Sequence, residues 1–68
     1  MAKIMTKVIV WHDERGKPDT CKGNRGDVEN FLFDYGFRQE DVRKIMAARM
    51  FADTHIGACT IQIQQVTG

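Results

Sequence analysis

The chain has 68 residues, enough for one small domain and too few for two. Ten Lys+Arg against nine Asp+Glu leave a formal charge of +1, far from the basic excess of a protein held mainly by phosphate contacts. With 43% hydrophobic and 28% charged residues the composition is globular rather than disordered, but so short a chain hides only about 60% of its surface on folding, and a second subunit, a metal or a disulfide would be a natural reinforcement.

From the N-terminus, Lys3 to His12 is rich in β-branched residues and reads as a strand. Ile4, Thr6, Val8 and Val10 fall on one face and Met5, Lys7, Ile9 and Trp11 on the other. Apolar groups on both faces suggest a central strand, or one whose second face meets another surface. Asp13 to Lys17 forms a turn around Gly16, and Pro18 makes a short strand over Asp19 to Lys22 an edge strand. Gly23 to Gly26 punctuates the chain, and Asp27 is placed to cap a helix from Val28.

That helix carries Val28, Phe31, Leu32 and Tyr35 at i, i+3, i+4 and i+7, one apolar stripe. Gly36 suits the left-handed position that ends a helix, and Phe37 can fold back on Leu32. Glu40 and Asp41 favour the start of a second helix from about Gln39 to Ala52, with Val42, Ile45, Met46 and Met50 on its core side. Arg49 then falls inside the apolar stripe and Phe51 opposite it. Thr54 to Gly57 reads as a turn, after which Cys59, Ile61 and Ile63 alternate with Thr60, Gln62 and Gln64 in a half-buried strand. The order β-β-α-α-β makes a single two-layer α+β domain, a mainly antiparallel sheet with a helical hairpin on one face.

The chemistry-bearing residues are sparse. His12, Cys21, His55 and Cys59 are the right types for zinc, but they lack the tight ligand pairs of structural sites, so neither metal nor cofactor is expected. Serine is absent and no nucleophile has a visible base, so the chain is not expected to be an enzyme. Cys21 and Cys59 read as packed thiols, and no apolar run exceeds the four residues of Val8 to Trp11, too short for a membrane span or a secretory core. The expected location is the cytoplasm. Lys22-Gly23-Asn24-Arg25-Gly26 is an amide-rich loop before a helix, without the Gly-Lys-Ser/Thr ending of a phosphate loop.

From Asp27 to Met50 the helix pair resembles helix-turn-helix DNA readers, with Gly36 at the turn and Phe31, Tyr35, Phe37, Val42 and Ile45 at apolar positions. Gly36-Phe37 followed by Glu40-Asp41-Val42 is also similar to the first loop of ubiquitin-associated domains. Each resemblance covers about a third of the chain, implies a packed helical hairpin, and stops short of a family assignment.

What remains is surface. Phe51 with Arg43 and Lys44 on the outer side of the second helix makes an apolar and basic patch of the kind enriched at protein interfaces, unless the helix is rotated or ends early and Phe51 belongs to the core; Met5, Ile9 and Trp11 form a second patch. The expected function is a small non-enzymatic protein-binding module, an adaptor or a phage- or mobile-element-type inhibitor that occludes a larger host enzyme. The alternative is a nucleic-acid-binding regulator using Lys22, Arg25, Arg43, Lys44 and Arg49. A homodimer is also expected, built by packing sheet on sheet over Trp11 or by joining Thr60 to Gln64 as sheet edges.

Overall fold

Two long strands, β1 (Ile4–His12) and β4 (Cys59–Thr67), lie side by side at the centre of a computed structural model that describes residues 4–14 and 16–67. They pair antiparallel along their whole length, from Ile4 opposite Thr67 to His12 opposite Cys59. Outside them, β2 (Asp19–Gly23) pairs with β1 and β3 (Asp53–Ile56) pairs with β4, so the four-stranded antiparallel sheet has the order β2-β1-β4-β3. Helices α1 (Arg25–Tyr35) and α2 (Gln39–Ala47) join the two hairpins. Lys3 and Arg15, expected in the first strand and the first turn, lie outside the described residues.

Because residues directly opposite each other share a face, the register divides the sheet cleanly. Val8 and Val10 of β1, Ile61 and Ile63 of β4 and Thr54 of β3 are buried on one face, where Val28, Leu32, Val42, Ile45 and Met46 of the helices cover them. That is the core. The stripe of Val28, Phe31, Leu32 and Tyr35 faces it as the spacing requires, with Phe31, Tyr35 and Phe37 half-buried at its margin. Tyr35 stacks on Phe37 at 5.5 Å and donates its hydroxyl to Asp19 Oδ2 at 3.0 Å, which fastens α1 to the edge strand β2.

Several expectations need correction. Asn24, not Asp27, caps α1: its Oδ1 accepts from the Asp27 N–H at 2.8 Å, while Asp27 Oδ2 accepts from the Asn24 N–H at 3.2 Å, a reciprocal capping box. Gly36 does end α1 in the left-handed region, at φ 114, with the Phe37 N–H on the Leu32 carbonyl. The second helix stops at Ala47 rather than Ala52, because Ala48 turns to extended backbone (φ −68, ψ 156) and the chain enters a turn. Met50 is therefore exposed rather than core, and Arg49 is exposed in the turn instead of lying in an apolar stripe. Thr54 to Ile56 is strand β3, not a turn, and the reversal belongs to Gly57 and Ala58. Residues Thr60 to Gln64 are consequently central, and joining them as sheet edges is ruled out.

Candidate functional site

Both helices cover the same face, which leaves the other face of the sheet without a second layer among the described residues. Met5, Ile9 and Trp11 of β1 and Val66 of β4 lie on it, as their positions between the buried valines and isoleucines dictate. Met5, Ile9 and Val66 are half-buried and Trp11 is 37% exposed. The sequence therefore placed these three β1 side chains together correctly, and the structure adds Val66 at the level of Met5.

The polar groups of this face are largely paired with one another. Gln64 donates its amide to Gln62 Oε1, and Gln62 Nε2 reaches both Asp53 Oδ1 at 3.2 Å and the Phe51 carbonyl at 3.1 Å. His55 Nδ1 and the Thr60 hydroxyl are 3.1 Å apart across the β3–β4 pair. Lys7 and Lys22 stand directly opposite each other on the open face, and neither has an ion-pair partner among the described residues. Like charges directly opposite are unfavourable, so the β2 side of this face favours an anionic neighbour.

A second feature sits where α2 runs into β3. Ala52 N–H donates to the Arg49 carbonyl at 3.1 Å, closing a turn whose third residue, Phe51, has φ 67. Positive φ at that position is the signature of a type II turn, which glycine or asparagine normally occupies. Phe51 is held there from both sides, its N–H on the Ile63 carbonyl at 2.8 Å and its own carbonyl accepting from Gln62. The residue is nevertheless 60% exposed. Phe51 thus lies neither on the outer side of the second helix nor in the core: the helix ends early, and Phe51 belongs to an exposed turn beyond it.

Arg43 and Lys44 remain on α2, both exposed. Arg43 borders an open groove of about 410 Å³ between the helices, which Phe33, Val42, Met46 and Ala47 line on its apolar side. Phe33, 44% exposed, was not anticipated; the available signal was an aromatic outside the Val28, Phe31, Leu32, Tyr35 stripe. Arg25 also lines the groove and donates from Nη2 to the Met46 carbonyl at 3.2 Å, bracing the end of α2. Of the five cations expected to serve nucleic acid, Lys22 lies on the open sheet face, whereas Arg25, Arg43 and Lys44 lie on the helices and Arg49 in the turn.

The four candidate zinc ligands do not converge. His55 is on the open face while His12, Cys21 and Cys59 share the other, and no group of three or more His, Cys, Asp or Glu gathers as a metal site among the described residues. Cys21 and Cys59 form no disulfide with each other and lie two strands and four register positions apart. No helix among the described residues is long and apolar enough to cross a membrane. Comparison with protein-family models, with curated proteins and with solved structures returned no match.

Proposed function

We propose that the protein is a small binding module that acts by contacting another protein, with Phe51 as the anchor it presents. The observation that carries this reading is the left-handed backbone of an exposed phenylalanine. An L-residue in that region costs about 1–2 kcal/mol, and the partial burial of Phe51 returns only about 1 kcal/mol. The two hydrogen bonds at the Phe51 backbone hold the turn, but asparagine or glycine would make them equally well, so they do not account for an exposed aromatic side chain there. Strained residues of this kind persist where the surrounding structure fixes them, and they cluster at ligand contacts. Aromatic anchors flanked by arginine are also what protein interfaces enrich, and Arg49 and Met50 precede Phe51 in the same exposed turn.

Phe51→Asn tests this directly, because asparagine tolerates positive φ and leaves the clamping backbone bonds intact. The variant is expected to melt at the same temperature as the parent or a few degrees higher. It is also expected to lose a protein partner that the parent retains from an extract of the native host. A fall in melting temperature would make Phe51 a packing residue instead. Retention of the same partner by the variant would remove it as the anchor.

A further inference from the structure

We infer that the open face of the sheet is the contact surface between two copies of this chain, related by a two-fold axis parallel to the strands and passing over the β1–β4 boundary. Met5, Ile9, Trp11 and Val66 supply the apolar part of that face.

The polar part is suited to being covered. Side-chain amides under a second sheet are costly when they lose water without gaining partners. Here Gln64, Gln62 and Asp53 form a continuous hydrogen-bonded row that ends on the Phe51 carbonyl, and Thr60 is paired with His55. Excluding water from this row breaks few bonds.

Charge selects the axis. A two-fold parallel to the strands lays β1 of one copy over β4 of the other and β2 over β3, since the sheet order is β2-β1-β4-β3. Met5 then meets Val66 of the second copy, and both Met5–Val66 contacts form at once. Lys22, at the β2 edge, faces the β3 edge of the second copy one same-face position from Asp53, which keeps Oδ2 after giving Oδ1 to Gln62. A two-fold perpendicular to the strands would instead lay β2 on β2 and gather four lysines, Lys7 and Lys22 from each copy, on one side. Like charges disfavour that arrangement.

Strand spacing and rise give the face a plane footprint of roughly 450 Å² per copy. Side-chain relief brings the accessible area near the lower bound of stable interfaces, about 600 Å² per partner, so the dimer should dissociate in the micromolar range. Sedimentation equilibrium across that range is expected to show the mass doubling, with Trp11 emission shifting to the blue as the dimer forms. Trp11→Lys should be monomeric throughout while keeping its circular dichroism. Asp53→Lys should weaken association at least tenfold, and adding Lys22→Asp to the same chain should restore it, which decides the matter even if Trp11→Lys does not fold. A single-chain mass at every concentration overturns the inference. So does a dimer whose affinity ignores both Trp11→Lys and Asp53→Lys, which would point to the exposed edges β2 and β3. The result is independent of Phe51, since dimerisation is read from mass and partner retention from Phe51→Asn.

Discussion

Gly23 and Asp27 show how closely single residues fit where the first hairpin passes into the first helix. A Cβ at position 23 would lie 2.6 Å from Asp27 Oδ2 and 2.8 Å from the Asp27 Cβ, closer than real atoms approach. Asp27 cannot yield without leaving the capping box, because the same Oδ2 accepts from the Asn24 N–H. Gly23→Ala is therefore expected to cost about 2 kcal/mol through overpacking together with loss of the Asp27 half of the cap. Asn24→Ala removes only the other half and should cost about 1 kcal/mol. Urea denaturation with an unchanged slope would show both, and a Gly23→Ala loss smaller than that of Asn24→Ala would mean that the backbone opens to accept the methyl group. The need for glycine here was not legible from sequence. Gly23 reads there as punctuation, since the contact that requires it joins the end of β2 to the third position of α1.

At the scale of elements, burial decides how much each helix contributes. Leu32 is fully buried between the helices and the sheet, so Leu32→Ala is expected to cost about 3–5 kcal/mol and to bring the protein close to unfolding. Phe37 is only half-buried and keeps its Tyr35 stack at the margin of the core, so Phe37→Ala should cost about 2 kcal/mol. Thermal melts of the two variants rank them, and the reverse order would displace the core toward the Tyr35–Phe37 end. The periodic elements were the legible ones: β1, α1 and β4 declare themselves by spacing, and Gly36 marks a real stop. The second helix was overextended because Met46 and Met50 continue its i, i+4 spacing and neither glycine nor proline stands between Ala47 and Phe51. Its end is set by Phe51 N–H bonding to Ile63, a contact between distant parts of the chain. Strand β3 was hidden for a related reason, since in four residues only Thr54 is buried and Asp53 and His55 face the open side. The apolar half of the candidate surface, Met5, Ile9 and Trp11, followed from alternation alone. The Phe51 turn did not, since backbone dihedrals leave no mark on a hydrophobic pattern.

For the whole molecule, the governing feature is that the first and last strands are central neighbours. Pairing β1 with β4 must close all of the chain between His12 and Cys59, and that closure entropy is spent before the longest ladder in the sheet forms. The two hairpins and the helix pair are local by comparison. Ile4 pairs with Thr67, so the described ends of the chain are adjacent and a short glycine-rich linker can join them. New termini placed in the turn between Asp13 and Pro18 would leave every strand intact, because that segment is exposed wherever it is described. In this permutant the β1–β4 pair becomes a hairpin, and the β1–β2 pair becomes the distant one. The exchange favours the permutant, since β1 matches β4 over nine residues and β2 over five. The permutant is therefore expected to fold faster than the parent at similar stability, with the gain in the refolding limb of a stopped-flow chevron and the unfolding limb little changed. A slower refolding limb would show that the β1–β2 hairpin, rather than the central ladder, forms in the transition state.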